Sequence, residues 1–231
     1  MMPNPPQRSQ RFYGRRKGRP LSTIRKQLLE DLLPKLCISI PENGDINLNA
    51  LFGNKNVWLE IGFGGGEHLA TLAQRHPSIG FVGCEAYLNG VTSLLTHVHN
   101  NSLDNVRIYP DDVRPFLKRI APKSIERIFV LFPDPWPKKR HHKRRIICDE
   151  QIQEFTRILK AGGQIVIASD DPDYVQSILE IMEGVNKLQL VSHVHTPPTD
   201  WVTTRYEKRA RRLGNTCSYL MYTLNSHSFY N

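Results

Sequence analysis

From Val57 onward the chain alternates between short continuous apolar runs and stretches whose apolar residues recur at a spacing near 3.6, and each change of pattern marks an element. Val57, Trp58, Leu59 and Ile61 form a run of β-branched and aromatic bias between Gly53-Asn54 and a group of glycines, which reads as a buried strand. Leu69, Leu72 and Ala73 follow at helical spacing. Further strands are predicted at 80–85, 106–109, 124–132 and 164–168, the third almost wholly apolar apart from Glu126 and Arg127 and therefore central. Helices are predicted at 88–100, 113–120, 149–159 and 174–182, with Gly162-Gly163 as the stop of the third. Strand alternating with helix predicts an α/β fold, a mostly parallel sheet with helices on both faces, and 188–194 with 219–224 form a closing antiparallel pair.

Upstream, Ser22 or Thr23 caps a helix with Ile24, Leu28, Leu29 and Leu32 on one face, ended by Pro34, and 41–49 is a turn-rich connector. Residues 1–20, rich in proline and poor in large apolar side chains, are expected to form a basic, disordered arm, and 21–231 a single domain.

Charge adds a partner. The net charge is +9, and its excess is confined to three segments. Arg8, Arg11, Arg15, Arg16, Lys17, Arg19, Arg25 and Lys26 lie in the first 26 residues with no acidic residue among them. Lys138, Lys139, Arg140, Lys143, Arg144 and Arg145 form a second group, and Arg205, Lys208, Arg209, Arg211 and Arg212 a third, leaving the rest net acidic. Basic clusters on an acidic body are the footprint of a nucleic-acid partner. No apolar run is long enough to span a membrane, and no apolar segment follows the basic N-terminus as a secretory signal requires. Cys37, Cys84, Cys148 and Cys217 are far apart, with no C-x-x-C pair, which predicts neither zinc nor disulfides and a cytoplasmic location. His97/His99 and His193/His195 would each present two metal ligands from a strand, but no third ligand stands at a suitable spacing, so no metal is expected; His141 and His142 are expected to face RNA or solvent.

The glycines after the first strand set the ligand class. Gly62-Phe63-Gly64-Gly65-Gly66-Glu67 lets the backbone turn and approach a ligand closely, but Glu67 stands where a dinucleotide fingerprint has its third glycine and would face a pyrophosphate. Glu60 before the glycines favours a cation instead: at 4 Å and an effective dielectric near 20 the attraction is about 4 kcal/mol before desolvation. The order E-x-G-x-G-x-G from Glu60 to Gly66 resembles the first motif of class I methyltransferases, whose cofactor S-adenosylmethionine carries a sulfonium and an ammonium. Glu85, closing the second strand, is placed for ribose hydroxyls, and Asp111 or Asp112, after the third, for an adenine amino group or for a helix N-cap. With Asp134 and Asp170, these acidic residues all fall at carboxyl ends of predicted strands.

The segment Phe132-Pro133-Asp134-Pro135-Trp136-Pro137-Lys138-Lys139-Arg140-His141 joins a proline-stiffened carboxylate and an aromatic ring to a basic run, a combination that accepts hydrogen bonds from a purine and stacks on it. Together with Leu59-Glu60-Ile61-Gly62-Phe63-Gly64 and Thr204-Arg205-Tyr206-Glu207, it resembles the bacterial tRNA (guanine-N7)-methyltransferase family, in order from about Val57 to Leu224. The resemblance implies a Rossmann-like class I methyltransferase fold. It also implies methyl transfer from S-adenosylmethionine to N7 of a guanine in the tRNA variable loop, at position 46. It implies cofactor roles for Glu60, Gly62, Gly64, Glu85, Asp111 or Asp112, and Asp134, and substrate roles for Lys138, Asp170, Thr204, Arg205, Tyr206 and Glu207. Asp134 is the first candidate for catalysis; Asp170 and Glu207 are candidates to accept from guanine N1 and N2, and Thr204 alternatively caps a helix running to Leu213 and Gly214. Two rivals remain on residues alone: a methyltransferase with another substrate, and a basic RNA-binding protein without turnover. No protein partner is expected.

Overall fold

A computed structural model describes Arg16 and residues 18–225 of the chain. The elements are α1 (Thr23–Asp31), α2 (Leu33–Leu36), α3 (Leu48–Leu51), β1 (Asn56–Ile61), α4 (Glu67–Arg75), β2 (Ile79–Cys84), α5 (Leu88–Asn100), β3 (Val106–Tyr109), α6 (Val113–Leu117) and β4 (Ile125–Leu131). A 3-10 helix (Lys139–Arg144), α7 (Asp149–Ile158), β5 (Leu159–Ser169), α8 (Pro172–Glu183), β6 (Leu188–Val194), α9 (Arg205–Arg212) and β7 (Ser218–Leu224) follow.

Two predicted stops behave differently from expectation. Pro34 does not end the first helix; it stands in the first turn of α2, where its missing N–H has no helical partner to lose. Gly162-Gly163 does not end α7, which already turns extended at Leu159. The glycines lie inside β5, where Gly162 at φ 72° accommodates a register shift against β4 between Ile125 and Arg127. Glycine punctuates helix ends and strand bulges alike, and the neighbouring strand decides which. His97 and His99 lie in α5 rather than in a strand, so residues two apart point away from each other.

The seven strands order as β3-β2-β1-β4-β5-β7-β6. Pairs from β3 through β5 are parallel, and β5-β7 and β7-β6 are antiparallel. Strand order reverses between β1 and β4, the place where such sheets open a crevice beyond the carboxyl ends of the strands. Each sheet face has its own apolar layer. Leu59, Ile61, Ile128 and Val130 pack with Phe116 of α6, Phe155 of α7 and Tyr174 of α8. Trp58, Phe81, Phe129 and Val166 pack with Leu69 of α4, Leu94 and Leu95 of α5 and Ala210 of α9.

Of the expected N-terminal arm, 1–15 and Lys17 lie outside the described residues. The rest is tied down along the start of α5: the Arg16 carbonyl accepts from Leu88 N (2.9 Å), and Asn89 accepts from Gly18 N (3.0 Å) and donates to the Arg19 carbonyl (2.8 Å).

Candidate active site

Gly62, Gly64 and Gly66 hold φ of 71°, 57° and 79°, a left-handed backbone that carries the chain from β1 into α4 without a side chain in the way. Glu85 locks this loop to the end of β2: its Oε2 accepts from Gly64 N and its Oε1 from Tyr87 N, both at 2.9 Å. Gly90, which sequence reasoning passed over, lies flat against the Gly64 carbonyl, and a Cβ there would collide with it. A glycine inside a helix costs about 0.5–1 kcal/mol, so Gly90 in the predicted helix 88–100 was the available signal of a close approach. On the other side of the loop, the ring of Tyr206 stands 2.7 Å from where a Cβ on Gly64 would be.

A cavity of about 380 Å³ opens beyond the ends of β1 to β4. Of the predicted cofactor residues, Gly62, Glu85, Asp111, Asp112 and Asp134 line it, and Trp136, Arg144 and Tyr206 are also on its wall. Glu60 and Gly64 do not line it. Side chains alternate along a strand, and where Ile61 faces the cavity, Glu60 turns beneath the glycine loop, 4% exposed, with Oε2 at 2.7 Å from His68 Nδ1. Both aspartates after β3 reach the cavity. Asp112 also caps α6 through Arg114 N (3.1 Å) and pairs with the Arg114 guanidinium, whereas the more exposed Asp111 pairs with Arg16 at 2.8 Å.

The proline-rich loop is strained around its carboxylate. Phe132 and Trp136 hold φ of 51° and 46°, a region that costs a bulky residue about 1–3 kcal/mol and persists only when the surroundings impose it. Phe132 N donates to the Ala168 carbonyl (2.7 Å), Arg145 Nε to the Pro135 carbonyl (2.7 Å), and Arg114 to the Arg144 carbonyl (2.8 Å). The Arg144 guanidinium lies 4.8 Å over the Trp136 ring, and that of buried Arg145 4.5 Å over Tyr174. The basic run therefore divides. Lys138, Lys139, Arg140 and Lys143 are exposed, as a phosphate-facing surface requires, but Arg144 and Arg145 hold the loop, so the cluster expected as a nucleic-acid footprint is not one uniform surface.

Asp134, between the two strained residues, stands open to the cavity, where the protein displaces enough of its hydration to push its pKa up. Burial also raises the pKa of Glu85, opposed by backbone N–H groups of Tyr87 and Gly64 and by the charge of Arg205. The arginines on the wall are engaged, Arg114 with Asp112 and Arg144 with Trp136. Glu85 and Asp134, with pKa values raised by lost hydration, and Asp111 and Asp112, paired with Arg16 and Arg114, give the wall an acidic character that suits a cationic ligand.

The predicted target residues are not all brought to the cavity. Arg205 and Tyr206 are exposed, with the Arg205 guanidinium 5.2 Å over the Tyr206 ring, and Tyr206 faces the cavity. Lys138 lies just outside, at the head of the 3-10 helix. Thr204 takes its alternative role, capping α9 through Glu207 N at 3.1 Å. Asp170 follows β5 and accepts from Asn215 (2.9 Å), and Glu207 is fully buried, so neither carboxylate faces the cavity. Among the described residues no cluster of His, Cys, Asp and Glu could hold a metal ion, the cysteines are free, and no helix is long and apolar enough to cross a membrane.

A sheet reversing between β1 and β4, a glycine loop at that reversal, and an acidic cavity beyond it define a class I methyltransferase, the class that takes S-adenosylmethionine. Solved structures of this fold include the 16S rRNA methyltransferase KamB (TM-score 0.60, 16% identity, 80% of this chain and 95% of that one) and a SAM-dependent methyltransferase from Aquifex aeolicus (TM-score 0.52, 15% identity, 76% and 86%). Residues 54–220 match a family model described as "Putative methyltransferase". Curated relatives are the tRNA (guanine-N(7)-)-methyltransferases of Paramagnetospirillum magneticum, 45% identical over 86% of this chain and 87% of its own length, and Rhodospirillum rubrum, 40% identical over 96% and 90%. The chain belongs to the tRNA (guanine-N(7)-)-methyltransferase family.

Proposed function

We propose that the chain transfers a methyl group from S-adenosylmethionine to N7 of a guanine in the variable loop of tRNA, at position 46, in the cytoplasm. The observation that carries this reading is the acidic cavity between the glycine loop and the strained Phe132–Trp136 turn, flanked by exposed Lys138, Lys139, Arg140 and Lys143 and by the basic face of α9.

The residues present fit the cofactor. Gly62 leaves open space where a side chain would stand, and the cavity-lining Glu85, with Asp111 or Asp112, would offer acceptors for ribose and adenine, while Asp134 would face the sulfonium. When bound, S-adenosylmethionine supplies an electrophilic methyl on a positively charged sulfur.

The chain's own work is alignment and electrostatics. Guanine N7 carries an in-plane lone pair, so no general base is required; the N7–C bond forms as the S–C bond breaks, and the positive charge passes to the purine ring. In its ionised form Asp134 would favour charge developing on the base, while Trp136 and Tyr206 flank the space the base would occupy. Exposed Lys138, Arg205, Lys208 and Arg209 supply phosphate contacts.

The test is transfer of labelled methyl from S-adenosylmethionine to an unmodified tRNA transcript, followed by nucleoside analysis. 7-Methylguanosine mapped to the variable loop is expected; label in another nucleoside, or none, overturns the reading.

A further inference from the structure

The helix that faces the target carries a carboxylate pointing the wrong way for a base. Glu207 is fully buried, and its two oxygens are occupied: Oε2 accepts from Trp201 Nε1 (2.7 Å), and Oε1 from Tyr219 OH (2.7 Å) and Arg211 Nε (3.0 Å). Arg211 also donates to Tyr219 OH at 3.0 Å, and Glu207 N is taken by Thr204. A carboxylate in that position would have to abandon three donors to meet a guanine edge.

Tyr206, one residue earlier, points the other way. Successive helical side chains diverge by about 100°, so an inward Glu207 turns Tyr206 outward, onto Gly64 and the cavity. Behind Glu207, Trp201 packs against His68 (ring centroids 5.7 Å apart), which meets Glu60 of β1. A file of buried Glu60, His68 and Glu207 with half-buried Trp201 thus joins β1 beneath the glycine loop to α9.

We infer that Glu207 is a positioning residue for methyl transfer: it does not read guanine, but fixes the ring of Tyr206 over the glycine loop, where Tyr206 walls the junction between cofactor and target base. The inference rests on the proposed function, because it assumes that the cavity holds S-adenosylmethionine and the target guanine beside it.

The experiment uses the full chain with E207Q, Y206A, the double variant and W201F, and tRNA carrying either guanosine or inosine at the target. Inosine lacks the 2-amino group but keeps N7. E207Q is expected to lower the single-turnover rate at saturating tRNA about tenfold, as loss of alignment does, while leaving the guanosine-to-inosine rate ratio unchanged. On a Y206A background the same substitution should cost less than about twofold more, the signature of two residues acting through one wall. W201F, which removes the hydrogen bond from the other side, should reproduce the loss and carries the test if E207Q folds poorly. A rate ratio that collapses in E207Q would show that Glu207 reads the base, and a wild-type rate in E207Q, or additive losses with Y206A, would show that it positions nothing.

Failure of the functional reading itself is separable. If the wild-type chain methylates no tRNA, calorimetric affinity for S-adenosylmethionine replaces the rate: E207Q and Y206A are then expected to weaken it non-additively, and additive or absent effects overturn the inference.

Discussion

Glu60 and Glu85 have the same side chain near the ends of adjacent strands, and they differ in where the pleat and the following turn send it. Glu85 reaches the cavity and also bridges Gly64 to Tyr87, whereas Glu60 meets His68 under the loop. Glu85→Gln is therefore expected to weaken S-adenosylmethionine binding about 10- to 100-fold by calorimetry, the range of a charge-assisted hydrogen bond. Glu60→Gln should instead lower the melting temperature, with a smaller change in affinity. Protonation gives a second test. Burial raises the pKa of Glu85 and displaced hydration that of Asp134, so the native chain binds these protons more tightly than the unfolded chain. Their contribution to stability thus declines as pH rises from the ordinary carboxylate range through the raised folded values. A bound cation opposes that loss by favouring the ionised forms. The rise in melting temperature produced by saturating S-adenosylmethionine is expected to grow with pH through this window, and a pH-independent shift would mean that neither carboxylate meets the cation.

At the scale of the element, the Phe132–Trp136 turn is held from outside by arginines that the sequence presents as part of a basic run. Prolines limit the backbone, and the two positive-φ aromatic residues are held by the bond from Phe132 N to the Ala168 carbonyl, by Arg145 on the Pro135 carbonyl and by Arg144 over Trp136. Arg145→Met is expected to cost about 1.5–3 kcal/mol of stability, the worth of a buried hydrogen bond to a charged group, and to depress single-turnover methyl transfer while tRNA binding is largely kept. Lys138→Ala should do the opposite, weakening tRNA binding with partial recovery at low salt and leaving thermal stability unchanged. Thermal melts beside single-turnover assays distinguish the two; equal behaviour would mean that the run is one uniform surface.

For the whole molecule, basic segments lie on a body that is otherwise net acidic, so the proposed tRNA surface and the proposed cofactor cavity have opposite electrostatic character although they adjoin. Raising salt is expected to weaken tRNA binding steeply and S-adenosylmethionine binding little. Deleting residues 1–15, which stops short of Arg16 and its hydrogen bond to α5, should reduce the slope of log K against log salt by about 0.7–0.9 for each phosphate that the arm neutralises. An unchanged slope would assign phosphate binding wholly to the 3-10 helix and α9.

The fold was legible because its cause is local. Strand runs such as 57–61, the helical spacing of Leu69 and Leu72, and the glycines between them depend on residues a few positions apart, and their alternation already implies a parallel sheet with its ligand at the strand ends. The cavity residues Gly62, Glu85, Asp111, Asp112 and Asp134 were legible for the same reason, each closing or following a recognisable strand. What local pattern could not carry was the direction of a side chain whose partners come from elsewhere. Glu207 is buried because Trp201, Arg211 and Tyr219 converge on it; Arg145 is structural because the Pro135 carbonyl and the Tyr174 ring meet it. A charged side chain alone in the sequence reads as a surface or a ligand contact, since burying it unpaired is costly. Only the packed structure brings together the donors that remove that cost, and so only the tertiary structure decided which charges face the ligands and which hold the site.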